Sequence, residues 1–152
     1  MAVKKAYDPR MHSAEHILNQ TMVRLYDCGR SFNAHIEKKK SKCDYRLERT
    51  PKEKEIADIE RRVNDVIDRN LPVGAKFIHR KEAEAMYSLA KLPDDAGDTL
   101  RIVTIGDYDA CPCIGSHVQS TGEIGSFRII STSYDDGRFR IRFKLGTPQE
   151  RS

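Results

Sequence analysis

Two pairs of side chains that can bind a metal ion lie near opposite ends of the chain. His12 and His16 are four residues apart in a segment with helical periodicity, and Cys113 and His117 have the same separation in a turn rich in proline and glycine. Residues four apart on a helix share one face. Either pair alone is also typical of ordinary half-buried side chains. Together, three imidazoles and one thiolate form a donor set that suits zinc, so we predict one zinc ion bound by all four.

The other cysteines and histidines fit this donor set less well. Cys111 competes as the thiol ligand, but Cys113 has the four-residue spacing to His117 and is preferred. The remaining thiols have no partner at ligand spacing, and the remaining histidines stand alone in predicted strands, although His35 can still point into a pocket. We therefore interpret four of these side chains as structural: Cys28, Cys43, His35 and His79.

Glu15 lies between the two histidines of the first pair, as a general base does in the helices of metalloproteases. It stands one residue before His16, however, about 100° around the helix from that ligand. We therefore interpret Glu15 as a salt-bridge or capping residue, with the general-base role as the alternative. Three residues around the second pair, Ser116, Gln119 and Thr121, are candidates to line a substrate pocket.

Two long helices are predicted from caps and apolar spacing. The first begins with Asp8 as N-cap and Pro9 at the first helical position, and Gly29 is its predicted C-cap. The second covers residues 51–70 behind a capping box that starts at Thr50, with proline at its first position. Its apolar stripe predicts that it packs on a sheet.

The rest of the chain predicts strands with short connections. In residues 138–145 four apolar side chains alternate with arginine and lysine, which predicts a strand with one buried and one basic face, paired in a hairpin with residues 126–134. The other predicted elements are strands at 31–37, 43–49, 73–79 and 100–105, a short helix at 81–91 and a loop at 93–98. The fold class is α+β, a largely antiparallel sheet covered by helices, in one domain over residues 1–152.

Charge is spread unevenly along the chain. The net charge is +4, and residues 1–50 carry 11 Lys and Arg against 6 Asp and Glu. Basic segments suit a polyanion such as RNA, although a solvated loop or face is the ordinary alternative. The candidates for phosphate contact are Lys38, Lys39, Lys40 and Lys42 in a predicted hairpin loop, and Arg138, Arg140 and Arg142 in the last strand.

The composition predicts a protein of a reducing cytoplasm. No apolar run approaches the roughly 18–20 residues that a membrane span needs. The basic start has no apolar stretch behind it, so we expect no secretory signal. Four cysteines at uneven spacing argue against a disulfide framework.

The two metal motifs resemble those of the alanyl-tRNA synthetase editing-domain family. Residues 12–18, His-Ser-Ala-Glu-His-Ile-Leu, are similar to its first motif, and residues 112–118, Pro-Cys-Ile-Gly-Ser-His-Val, with the Ser-Thr-Gly-Glu-Ile-Gly that follows, resemble its second. Residues 140–143 match its closing strand, and the threonyl-tRNA synthetase editing domain shares the ligand pattern. Here Ile114 replaces a glycine and Ser116 a threonine of the family pattern, so we expect an altered local pocket.

The resemblance implies a function in tRNA editing. It implies the editing-domain fold, zinc bound by His12, His16, Cys113 and His117, and hydrolysis of the ester at the acceptor end of a tRNA mischarged with serine or glycine in place of alanine. With no aminoacylation domain in the sequence, we expect a free-standing editing protein that acts in trans. The alternatives are a structural or binding module stabilised by zinc, and a metal-dependent hydrolase of small esters or amides.

Overall fold

Seven β-strands form two antiparallel sheets in the computed structural model, which describes residues 8–87 and 98–147. The larger sheet has the strand order β1-β2-β7-β6 and the smaller one the order β3-β4-β5. The antiparallel α+β prediction is confirmed, but the division into two sheets was not foreseen. The strands are β1 Asn33–His35, β2 Ser41–Arg46, β3 Val73–His79, β4 Thr99–Ile105, β5 Asp109–Pro112, β6 Phe127–Asp135 and β7 Arg138–Leu145. The helices are α1 Pro9–Tyr26, α2 Glu53–Asp68, α3 Arg80–Met86 and the 3-10 helix η1 Thr121–Ile124.

Helix α1 begins as the sequence predicts and ends earlier. The Asp8 carboxylate accepts hydrogen bonds from the backbone N–H groups of Arg10 and Met11, which confirms it as the N-cap. The C-cap is Asp27, which adopts the left-handed conformation with φ of 51°. The prediction of Gly29 as C-cap was therefore wrong, because an aspartate adopts this conformation more readily than most residues. Within the described residues, no helix has the length and apolar character needed to cross a membrane.

Helix α2 is capped two residues later than predicted. Its N-cap is Lys52, whose backbone N–H donates to the Glu55 carboxylate at 3.1 Å. The predicted capping box at Thr50 was wrong, and the proline after it precedes the helix. The reason is that Glu55 supplies the capping carboxylate at the third helical position after Lys52, which satisfies an N–H that the helix leaves unpaired.

The strand predictions succeed best in the second half of the chain. The strand at 73–79 is confirmed, and the hairpin of β6 and β7 differs by a residue at most. In the first hairpin, β2 starts at Ser41, so Ser41 and Lys42 belong to a strand and not to the basic loop. Helix α3 is shorter than predicted, and residues 88–97, with most of the predicted loop at 93–98, lie outside the described part.

The core lies between the helices and the inner face of the larger sheet. Phe139, Ile141 and Phe143 of β7 are fully buried, while the two arginines between them are half-buried. The α2 stripe around Ile59 and Val63 is equally buried. Burial of each such side chain stabilises the fold by roughly 1.5–3 kcal/mol, so this core holds α1 and the sheet in fixed positions.

Thr121 joins η1 to the end of α2. Its hydroxyl lies within 2.9 Å of the Val66 carbonyl and accepts from the backbone N–H of Leu71 at 2.9 Å, and its side chain is completely buried. We expect Thr121→Val to lower the free energy of unfolding by about 1–3 kcal/mol, because buried backbone groups lose their partner. Chemical denaturation measures this loss. Thr121→Ser is the control, and equal stability of the valine variant and the wild type would contradict this role.

Candidate metal centre

The four predicted ligands converge on one point between α1 and the loop after β5. One nitrogen from each of His12, His16 and His117 and the sulfur of Cys113 all lie within 4.8 Å of one another. The Cys113 Sγ is 3.4 Å from the His12 Nε2. A tetrahedral zinc site with Zn–N near 2.0–2.1 Å and Zn–S near 2.3 Å needs donor separations of roughly 3.3–3.7 Å. The residues therefore fit a single zinc ion.

Contacts at Nδ1 hold the imidazoles of His12 and His117 so that each Nε2 points towards the other donor atoms. The Nδ1 of His12 is 3.2 Å from the Ser116 carbonyl, and the Nδ1 of His117 is 2.9 Å from the Ser13 hydroxyl. The Nε2 of His117 is buried and has no hydrogen-bond partner among the described residues. A buried nitrogen left unpaired in this way is costly unless it has a ligand. Metal-bound histidines typically use the second nitrogen for such an outer contact.

The third imidazole, that of His16, faces an ion pair between buried Asp109 and half-buried Arg30. The His16 Nδ1 is 3.6 Å from the Asp109 carboxylate on β5, and Arg30 holds that carboxylate through a contact of 2.8 Å. Gln20 of α1 also donates to Asp109 at 2.9 Å. Burial alone would raise the pKa of Asp109, but His16 and Arg30 lower it below its usual range. An ionised carboxylate therefore lies beside the His16 Nδ1, at ion-pair distance and not at hydrogen-bond distance.

The two neighbouring thiols have opposite character. Burial would raise the pKa of Cys113, but the adjacent imidazoles of His117, His12 and His16 lower it to about 3. Burial raises the pKa of Cys111 to about 11, against the opposing charge of Arg30. Because a thiolate is the form that binds metal, these pKa shifts favour Cys113 over Cys111 as the candidate ligand. Burial also lowers the pKa of His117 to about 4, which keeps its imidazole neutral as a ligand must be.

Arg101 and Gly115 shape the loop that carries Cys113. The Arg101 guanidinium donates to the carbonyls of Cys113 and Gly115 at 3.2 and 2.8 Å. A Cβ on Gly115 would overlap the imidazole of His12, so only glycine permits this close approach. The backbone N–H of Gly115 also points at the Cys113 sulfur, 3.4 Å away.

The other predicted pocket residues have different surroundings. Ser116 and Gln119 are exposed, and Ser116 lines an open cavity beside the centre. Thr121 is fully buried and bound to the backbone of α2, so its assignment to the substrate pocket was wrong. Glu15 is buried, with Oε1 3.8 Å from the His12 Nε2. The Glu15 carboxylate therefore lies next to the candidate donor atoms.

The basic side chains predicted to contact phosphate differ in how accessible they are to a ligand. Arg140 forms a two-point ion pair with Asp44 at 2.7 and 3.0 Å, so it is the least available cation of its strand. Burial works against ionisation of Asp44, but Arg140 lowers the pKa of this carboxyl. Lys42 and Arg142 stand directly opposite each other on β2 and β7. The loop lysines and Arg138 are exposed.

Several residues that complete the centre were missed from the sequence. Ser13, Arg30, Arg101 and Asp109 reach the ligands or their loop, yet none stands at a ligand spacing. The only available signal was Asp109 itself, an acidic residue two positions before the Cys-Pro-Cys turn. Strand pairing and helix packing bring the others together.

We expect Asp109→Asn to weaken zinc binding by about 10–100-fold, the usual effect of losing an outer partner of a metal-bound histidine. Competition with a chelator of known affinity measures the change. Asp107→Asn, at an exposed aspartate of the adjoining turn, is the matched control. Equal zinc affinity of the two variants would show that the contact between Asp109 and His16 does not orient a ligand.

Fold and site together define an α+β domain of antiparallel sheets with a partly buried cluster of three histidines and one cysteine. Residues 100–142 match the family model described as the threonyl and alanyl tRNA synthetase second additional domain. The chain is 33% identical to the alanine–tRNA ligase of Methanopyrus kandleri over 141 residues, 90% of this chain. It is 34% identical to that of Pyrobaculum aerophilum over 149 residues. The chain thus resembles alanine–tRNA ligases over most of its own length, and it spans 15% and 16% of these two relatives.

Proposed function

We propose that this chain hydrolyses the ester bond between a wrongly attached amino acid and its tRNA, with serine or glycine on the alanine tRNA as the expected substrates. The observation that carries the proposal is the convergence of His12, His16, Cys113 and His117 beside an open cavity. The likeness to alanine–tRNA ligases over 90% of the chain supports tRNA as the partner.

The reaction adds one water molecule across the ester. The water oxygen forms a bond to the acyl carbon, the bond from that carbon to the ribose oxygen breaks, and the ribose oxygen gains a proton. A zinc ion held by the four side chains would polarise the carbonyl and make water more acidic. Ser13 and Asp109 orient two of the imidazoles, and Arg101 fixes the loop of Cys113. Glu15 is the candidate to accept a proton, since its carboxylate is 3.8 Å from a ligand nitrogen.

One observation favours a second function, a structural zinc module. Four protein ligands usually mark a closed site that only stabilises the fold, whereas catalytic zinc sites keep a position open. The ligands come from α1 and from the loop after β5, so a zinc ion would also tie distant parts of the chain together. In this reading zinc supports the fold and no ester is cut.

A deacylation assay separates these functions. Zinc-loaded wild type and the Cys111→Ser control are expected to release serine or glycine from mischarged alanine tRNA, and His12→Ala and Cys113→Ser are not. Thermal unfolding of each variant shows whether it is folded. A folded, zinc-loaded wild type that leaves the mischarged tRNA intact would support the structural module. Equal rates on small aminoacyl esters without tRNA would support a general hydrolase.

The outer face of the larger sheet is the proposed surface for tRNA phosphates. Lys42 and Arg142 face each other across two strands and line a cavity of about 260 Å³ with His35 and Lys40. Like charges placed directly opposite are unfavourable unless an anion lies between them. Within residues 8–87 and 98–147, neither Lys42 nor Arg142 forms an ion pair with a carboxylate.

We expect Lys42→Gln and Arg142→Gln each to lower the slope of log affinity against log salt by roughly one, the effect of losing one phosphate contact. Filter binding of uncharged alanine tRNA at several salt concentrations measures the slope. Arg62→Gln on α2 serves as the control, because that arginine is bound to Asp58 at 2.8 Å. If all three variants share the wild-type slope, this face does not contact tRNA.

A further inference from the structure

An exposed aromatic ring lies beside the metal centre without an assigned role. Phe77 of β3 is 67% exposed, the most exposed large apolar side chain in the described part of the chain. Ile114, 44% exposed, lines the same cavity of about 440 Å³. Such a cavity volume is typical of small-molecule sites, and burying this much apolar surface requires a partner.

The cavity and the metal centre share a wall. Gly115 and Ser116 line the cavity, and both lie against His12. Gly115 packs so closely on the His12 ring that a Cβ would overlap it, and the Ser116 carbonyl is 3.2 Å from the His12 Nδ1. Arg101 stands opposite Phe77 in the ladder between β3 and β4 and also binds the loop of Cys113. A molecule in this cavity therefore contacts the loop that lies against the candidate ligand His12.

We infer that Phe77, with Ile114 at its side, stacks the terminal base of the nucleic acid whose ester the centre cuts. This inference rests on the proposed function. An ester on the terminal ribose has that base as its immediate neighbour, so a base platform must lie next to the reacting centre. Stacking on an aromatic ring is worth a factor of roughly 5–150 in affinity and needs no fixed hydrogen bonds.

The chain contains no tryptophan, so Phe77→Trp supplies a single reporter at the platform. Its fluorescence is expected to be quenched by uncharged tRNA that ends in CCA, and not by the same tRNA without its terminal adenosine. Phe32→Trp is the matched control, because Phe32 is 41% exposed just before β1 of the other sheet, with the Arg46 guanidinium over its ring. Equal quenching by both tRNAs, or none, would overturn the inference.

Kinetics give a second readout. Phe77→Ala and Phe77→Leu are expected to raise KM for mischarged tRNA about 5–150-fold, with Phe77→Tyr close to wild type, because only the ring stacks a base. If leucine restores the wild-type KM, or if light scattering shows a dimer that alanine dissociates, the surface is an ordinary apolar contact and the inference fails. If only tRNA with its terminal adenosine quenches the fluorescence, but the protein hydrolyses no ester, the stacking role of Phe77 would stand and the proposed function would be rejected.

Discussion

Replacing Cys113 with serine is expected to abolish stoichiometric zinc binding, whereas Cys111→Ser should retain it. The two cysteines are separated only by Pro112, yet the imidazoles lower the pKa of Cys113 to about 3, while burial raises that of Cys111 to about 11. The thiolate is the metal ligand, so loss of Cys113 removes the only charged donor of the site. The expected drop in zinc affinity exceeds the roughly 100-fold that removal of an outer partner can cause.

Elemental analysis of purified protein after dialysis measures the zinc content of each variant. About one zinc per chain in wild type and Cys111→Ser, against nearly none in Cys113→Ser, is the expected pattern. Circular dichroism shows whether the serine variants keep their secondary structure. Retention of zinc by Cys113→Ser with loss from Cys111→Ser would mean that the other thiol is the ligand and that the site described above is incorrect.

Zinc is expected to raise the melting temperature of metal-free protein by about 8–16 °C. A ligand present at 1,000 times its dissociation constant stabilises the folded state by about 4.1 kcal/mol, and for a chain of this size each kcal/mol shifts Tm by about 2–4 °C. The effect is large because the donors come from α1 and from the loop after β5, and an unfolded chain does not hold them together.

Thermal unfolding followed by circular dichroism, with and without excess zinc after removal of metal by a chelator, measures the shift. His12→Ala should lose most of it. His35→Ala, a histidine on the edge strand of the other sheet, is the control and should keep the full shift. A zinc-dependent shift in His12→Ala equal to that of wild type would place the metal elsewhere on the chain.

The sequence predicts the four donors and misses what holds them. His12 and His16 follow from helical spacing, and Cys113 and His117 from a turn with the same spacing, both of which are local patterns. Asp109 and Arg30 contact each other because β5 packs near the end of α1, and nothing in their spacing indicates it. Contacts of this kind depend on tertiary packing, and the spacing of residues along a single sequence does not reveal them.

The fold was likewise predicted where it depends on neighbouring residues and missed where it depends on residues far apart in the chain. The Asp8 cap of α1 and the hairpin of β6 and β7 follow from neighbouring residues and were predicted. The pairing of β2 with β7 joins residues from opposite ends of the chain and was not. That pairing also places Asp44 beside Arg140, which explains why one predicted phosphate contact is occupied by a carboxylate.

X-ray absorption at the zinc edge tests the central claim most directly, because it counts the donor atoms around the metal. The account predicts three nitrogen donors at about 2.0–2.1 Å and one sulfur at about 2.3 Å in wild type. The sulfur signal should persist in Cys111→Ser, and any zinc that a large excess of metal places on Cys113→Ser should show no sulfur donor. A shell with no sulfur, or one unchanged in Cys113→Ser, would contradict a centre built from His12, His16, Cys113 and His117.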